Sequence, residues 1–181
     1  MNLFELKSRL TNTLNFEIPI NGKFRLASVL VVIYGDDPIL LMTKKPKHLK
    51  LHAGEISFPG GKFDNDSDFL ETALRETREE LGLTISREQV NGQLDSVITL
   101  NSGFMIFPFV TILDKLPPLL ANDEVEEILH IPLEAFLKTM AKDPDPTHNK
   151  IQEMFTFEYQ NQIVWGASAR IIKQIQNPIK S

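Results

Sequence analysis

Apolar residues along the chain keep two rhythms, one of helices and one of strands. Leu3, Leu6, Leu10 and Leu14 recur at helical spacing, which predicts a first helix over residues 2 to 14. The run LASVLVVIY, residues 26 to 34, is rich in β-branched side chains and predicts a buried strand. Gly35, Asp36, Asp37 and Pro38 form a turn, and ILLMT returns as a second strand in a hairpin. A basic loop follows from residue 44 to 50, then Gly54 and a turn at Pro59, Gly60 and Gly61.

The sharpest helix is predicted over residues 67 to 81. Leu70, Ala73, Leu74, Thr77 and Leu81 make one largely apolar stripe, Ser67 or Asp68 caps its start, and Gly82 ends it. Further strands are expected at 96 to 100, 105 to 113 and 125 to 131, and a helix at 132 to 141. AKDPDPTHNK reads as an exposed loop. Residues 155 to 159 and 162 to 165 read as paired strands, with Trp165 in the core, and 167 to 176 as a closing helix. There is no repeat, low-complexity run or linker, so the expectation is a single α+β domain over residues 1 to 181, a mixed sheet between helices.

Composition narrows the chemistry. The chain has 181 residues, 42% hydrophobic and 24% charged, as expected of a soluble globular protein. Its net charge of -5 argues against a nucleic-acid coat, which wants a basic surface. With no cysteine, disulfides, thiolate metal sites and cysteine nucleophiles are excluded, and a reducing cytoplasm is the expected location. The opening stretch, with acidic and basic residues mixed through it, does not read as a signal peptide, and the longest apolar runs are too short to span a membrane.

On the 67 to 81 helix, Glu76, Glu79 and Glu80 stand at i, i+3 and i+4, which gathers three carboxylates on one face. The apolar stripe lies beside them, so they sit at the edge of the buried face, where a cleft can form. Carboxylates this close repel unless a cation sits among them, and oxygen donors suit a hard ion such as Mg2+ or Mn2+. Arg75 and Arg78 offset part of the repulsion. The alternative is a solvated acidic face, the commoner meaning of a charge run. The surroundings favour the first reading: a Pro-Gly-Gly turn ahead, an Arg-Glu pair opening the cluster and a Gly-Leu pair closing it.

The stretch GGKFDNDSDFLETALRETREELGL, residues 60 to 83, resembles the Nudix box, G-x5-E-x7-R-E-U-x-E-E-x-G-U, with U a bulky aliphatic residue. Gly61, Arg75, Glu76, Glu79, Glu80, Gly82 and Leu83 fall on its fixed positions. Ser67 replaces the early Glu, which in Nudix enzymes helps hold the helix and its loop, and Thr77 replaces the first U. Upstream, LMTKKPKHLKLHAGEISFPGG resembles the signature of the coenzyme A diphosphatase branch, roughly L-L-T-x-R-[SA]-x3-R-x3-G-x3-F-P-G-G. Leu41, Thr43, Gly54, Phe58, Pro59, Gly60 and Gly61 match in register. Lys45 and Lys50 stand where that branch has arginine, which keeps the charge and loses the bidentate fork. Met42 and Pro46 also depart, and the gap between the glycines and the Arg-Glu pair is often one residue longer in that branch.

Lys44, Lys45, Lys47, His48 and Lys50 read either as a basic surface loop or as a phosphate contact. Their place ahead of the glycines in an acidic chain favours phosphate. His52 reads as a turn cap. NDEVEEILHIPLEAF resembles the segment in which Nudix enzymes place one further acidic residue at the metal, and Glu124 matches that position best; a strand-edge carboxylate is the equal alternative.

The resemblance, over about residues 25 to 176, implies an α/β/α sandwich and water attack at phosphorus with Mg2+ or Mn2+ on Glu76, Glu79 and Glu80. It implies that one of these or Glu124 accepts the proton and that Arg75 orients the cluster. Lys45, Lys50, Gly54, Phe58, Gly60 and Gly61 would line the substrate. The expected substrate is coenzyme A or acyl-CoA. The alternatives are ADP-ribose, a dinucleotide or a nucleoside triphosphate, or binding without cleavage. Nudix enzymes are often homodimers, and nothing in this sequence fixes an interface.

Overall fold

The computed structural model describes residues 2–17, 22–48, 53–100, 102–145 and 154–176. In chain order its elements are α1 (Leu3–Leu10), β1 (Arg25–Tyr34), β2 (Ile39–Lys44), β3 (Ile56–Ser57), β4 (Gly60–Lys62) and α2 (Phe69–Leu81). Then come β5 (Val90–Gln93), β6 (Val97–Ile98), β7 (Phe104–Leu113), β8 (Glu127–Pro132) and α3 (Leu133–Leu137). The last are β9 (Ala141–Lys142), β10 (Phe155–Tyr159), β11 (Gln162–Val164) and α4 (Gly166–Gln176).

The β-branched run forms β1, and the main sheet is built around it. One edge of β1 pairs in parallel with β7 along its whole length, from Arg25 opposite Phe104 to Tyr34 opposite Leu113. The other edge is shared. Its first half pairs antiparallel with β4, Val29 opposite Gly60, and its second half with β2, Val32 opposite Leu41. β2 diverges from β1 and takes up β3, Thr43 opposite Ser57. The segment from Ile56 to Lys62 therefore fills a fork between β1 and β2, and Pro59 C=O accepts from Leu30 N–H where the fork opens.

The sheet separates two apolar layers. On one face Leu70, Ala73, Leu74 and Leu81 of α2 pack with Leu30, Val32, Leu41 and Phe109. On the other, Leu6 and Leu10 of α1 and Ile171, Ile172 and Ile175 of α4 pack with Val31, Ile33, Leu40 and Met42. Alternation along β1 and β2 feeds both layers, which is how an all-apolar run serves a sheet covered on both sides. This is the α+β sandwich expected, with a mixed sheet between helices. Phe69 stacks on Phe107 with ring centroids 4.0 Å apart and meets Phe63 at a tilt, 4.7 Å away, which pins the first turn of α2 to the sheet.

Several expectations need correction. α1 stops at Leu10, short of Leu14. Asn12 leaves the helical path because its N–H donates to Asn91 C=O and its side chain bonds both backbone groups of Gln93, while Leu14 joins the opposite apolar layer. The Pro59-Gly60-Gly61 turn is instead the entry to β4. A short 3-10 turn at Arg87–Gln89 and β5 lie where no element was expected. The helix after Pro132 shrinks to α3, because Thr139 N–H and Oγ1 both donate to Phe136 C=O and β9 begins at Ala141. Trp165 is 42% exposed: strand alternation turns Val164 inward and its neighbour out. Lys50 and His52 lie outside the described residues, as does the end of the AKDPDPTHNK loop. Among the described residues no helix is long and apolar enough to cross a membrane.

Candidate active site

α2 begins where Asp68 accepts from Glu71 N–H and ends at Gly82 in the left-handed region, so the glutamates occupy its last turns in a fixed phase. The chain after it docks against that end. Leu120 N–H and Asn122 N–H donate to the C=O groups of Leu81 and Glu80, which satisfies two carbonyls that a helix end leaves open. Asn122 Oδ1 then accepts from Glu124 N–H at 2.9 Å, and so Glu124 is brought to the glutamates of α2.

Glu80 is the centre of the cluster. It is only 3% exposed and accepts from Gly60 N–H at 3.2 Å, in the fork between β1 and β2. Burial pushes its carboxyl up to about 7, against the pull of the Lys45 ammonium and Gly60 N–H, and like-charge repulsion from Glu76 and Glu124 adds to the rise. Burial also raises Glu76; Arg75 opposes this, while Glu79 and Glu124 reinforce it. Glu76, Glu80 and Glu124 thus feel one another, with Lys45 facing them.

The two glycines have different tasks. Gly60 has φ +152, and a Cβ there would stand 2.3 Å from Ser28 O and 2.6 Å from Val29 Cα, so only glycine lets this strand lie against β1. A Cβ on Gly61 would stand 2.3 Å from Glu76 Cδ. Gly61 makes room for the Glu76 carboxylate.

Arg75 is the organiser. It donates to Asp66 through Nε and Nη2, each at 3.0 Å, to Glu79 through Nη1 at 3.0 Å, and pairs with Glu76 through Nη2 at 2.9 Å. These carboxylates hold its guanidinium charged, Asp66 foremost. Glu79 is turned toward Arg75 with its side chain 52% exposed. Asp66 was not singled out in the sequence. The signal was there in an acidic run, DNDSD, immediately before the helix that carries Arg75.

Of the other predicted residues, Lys45 lies near enough for its charge to act on Glu80, and Phe58 is buried in the fork. Gly54, at φ +70, donates its N–H to Lys45 C=O, and Lys45 N–H donates to Glu55 C=O, so the basic stretch leaves and rejoins the sheet at one neck. A hollow of about 130 Å3 beside Leu74, Arg78 and Arg87 opens on another face of α2 and touches none of Glu76, Glu80 or Glu124.

The donor set fits a hard divalent cation. A nearly buried carboxylate with a raised pKa, a second raised carboxylate beside it and an exposed third form a cluster that repels itself until something positive enters. Among the described residues no three acidic or histidine side chains are already gathered into a cage. Mg2+ does not require one, because it keeps several waters and is held by one or two carboxylates together with substrate phosphates.

Comparison with known proteins agrees with this geometry. The family model described as NUDIX domain matches residues 24–151. A Yersinia pestis (strain Pestoides F) protein named "Uncharacterized Nudix hydrolase NudL" is 32% identical over 185 residues, 99% of this chain and 92% of its own length. A MutT/nudix family protein from Enterococcus faecalis superposes with TM-score 0.62 at 17% identity, covering 89% of this chain and 64% of that one. The NUDIX domain of Shewanella oneidensis NrtR, solved in complex with ADP ribose, superposes with TM-score 0.53 at 16% identity, over 68% of this chain and 82% of that one. Those two likenesses concern the fold; the family model and the Yersinia relative carry the assignment. The chain belongs to the Nudix hydrolase family, whose members act on small-molecule substrates and generally use divalent metal ions.

Proposed function

We propose that this Nudix hydrolase cleaves the diphosphate of a nucleoside diphosphate derivative, with coenzyme A or an acyl-CoA as substrate. The products are then adenosine 3',5'-bisphosphate and 4'-phosphopantetheine or its acyl form. The observation that carries the reading is Lys45: the basic stretch ahead of the glycines places a cation near enough for its charge to be felt at the buried Glu80 carboxylate. A cation there meets a substrate phosphate lying over the acidic cluster, and coenzyme A brings a 3'-phosphate in addition to its diphosphate, so it makes most use of further lysines nearby.

Glu76 and Glu80 would hold the ion, and Glu79, half-exposed beside Arg75, would be the carboxylate left for a further ion. Mg2+ or Mn2+, when bound, supplies charge neutralisation and Lewis acidity at the diphosphate. Glu124, exposed and adjacent, accepts the proton of the attacking water. Arg75 orients the carboxylates, Lys45 draws in the phosphate, and Gly60 and Gly61 let backbone and carboxylate approach closely. A chain without cysteine suits work in the reducing cytoplasm.

The test is incubation of the purified protein with coenzyme A and Mg2+ or Mn2+, beside ADP-ribose, with products read by mass spectrometry and Glu80→Gln in parallel. Adenosine 3',5'-bisphosphate from the wild type alone supports the proposal. Cleavage of ADP-ribose instead keeps the chemistry and overturns the substrate. Cleavage of neither overturns the substrate reading and favours a scaffold that binds without cutting.

A further inference from the structure

The acidic cluster contains an oddity: its arginine is shared among three carboxylates, and the most buried of the three is not a glutamate of the helix. The Asp66 side chain is 9% exposed, against 21% for Glu76 and 52% for Glu79. Of the five N–H groups that a guanidinium carries, Asp66 engages two, Glu76 one and Glu79 one. Asp66 Oδ2 also accepts from Thr72 Oγ1 at 2.8 Å, and Thr72 is itself buried on α2. The aspartate is thus tied to the helix at two points, and its grip on Arg75 is the bidentate one. The neighbouring Ser67, where the Nudix pattern has its early glutamate, is exposed and makes no such contact among the bonds described.

We infer that Asp66 is a positioning residue that keeps Arg75 from closing on Glu76, and that it has taken over the anchoring left vacant at Ser67. The argument is one of competition. Arg75 offers one positive charge and a planar fork. While Asp66 fills the Nε and Nη2 side, Glu76 receives a single contact and keeps lone pairs free for an ion. Without Asp66, the fork is free to swing onto Glu76 and Glu79 and compete with the cation for the same oxygens. Partners that orient a ligand without touching the metal typically matter ~10–100-fold in metal affinity or activity. This inference rests on the proposed reading of Glu76 and Glu80 as the metal-holding pair.

The experiment is calorimetric titration of Mn2+ into the wild type, Asp66→Asn and the double variant Asp66→Asn with Ser67→Glu, with circular dichroism and thermal unfolding on each. Asp66→Asn is expected to stay folded and to bind Mn2+ about tenfold more weakly. The double variant is expected to return toward the wild type, because Ser67→Glu restores a carboxylate where the Nudix pattern carries one. Asp66→Asn that folds and binds Mn2+ like the wild type would overturn the inference alone; a wild type that binds no Mn2+ overturns the metal reading as well. If Asp66→Asn does not fold, Thr72→Val, which removes the hydroxyl that holds Asp66 Oδ2, is titrated instead: several-fold weaker Mn2+ binding by the folded variant supports the inference, and wild-type affinity overturns it.

Discussion

Glu80→Gln tests whether a carboxylate kept for function sits in a place where it costs stability. The folded-state carboxyl lies at about 7, against 4.5 for an ordinary glutamate, and the first cause is burial. The sign follows directly. The folded state holds this proton more tightly than the unfolded chain, so the group's stabilising contribution is complete below about pH 4.5 and is lost as pH rises through about 7. At ~1.4 kcal/mol per pH unit the full loss is about 3 kcal/mol. Glutamine keeps the shape and the acceptor for Gly60 N–H but carries no charge at any pH. The assay is thermal unfolding with a chelator present, between about pH 5 and about pH 8.5, wild type beside variant. Near about pH 5 the two should agree within ~1 kcal/mol; near about pH 8 the variant should be more stable by ~3 kcal/mol. For a chain of this size, at ~2–4 °C per kcal/mol, that is a gap in Tm of roughly 6–12 °C. Mn2+ should then close the gap from the wild-type side only, since an ion that binds the folded state stabilises it by mass action. Melting curves of wild type and variant that run parallel across the whole pH range would refute the reasoning.

Two further perturbations use the same geometry. Gly61→Ala places a methyl where the Glu76 carboxyl now lies, at the movable end of a side chain, so the fold should survive while kcat falls by ~10–100-fold. Gly60→Ala instead meets Ser28 and Val29 backbone at a positive φ, so chemical denaturation should show a loss of ~2–4 kcal/mol. The contrast between the two is the prediction, and equal stability losses would contradict it. Lys45→Ala removes a charge that pulls the Glu80 pKa down, so the acidic limb of the pH-rate profile should move to higher pH. KM for the diphosphate substrate should rise about tenfold in the same variant, as loss of a charged hydrogen bond implies.

The parts legible in the sequence are those whose signal is long and local. β1, β2, β7 and α2 each carry a run that has one reading, with Asp68 and Gly82 marking the ends of α2. β3 and β4 were not legible, because they are two or three residues long and exist only because β1 and β2 part to admit them. β5, sequence VNGQ, has no apolar alternation to announce it. Leu14 continued a helical spacing that Asn12 had already left through its bonds to Gln93. In the site, the spacing of Glu76, Glu79 and Glu80 gave a shared face but could not divide it. At about 100° per residue, Glu79 and Glu80 fall on opposite sides of Glu76. Which side met the fork and which met Arg75 depended on tertiary packing. Asp66 escaped notice because it is one residue off the pattern and acts through a side chain nine positions away.

The neck at Lys45 separates two kinds of inheritance. Lys45 and Gly54 are joined backbone to backbone, and Ile56 onward is already seated between β1 and β2. The chain between Lys45 and Gly54 can therefore lengthen, shorten or change its charges without moving Gly60 or the carboxylate bonded to it, since extending a closed loop costs little. If that stretch meets the substrate, as the proposed function holds, ligand choice and bond cleavage are separately editable. On that reading, transplanting the stretch from a relative of different substrate preference should redirect the enzyme with the glutamate helix left as it stands.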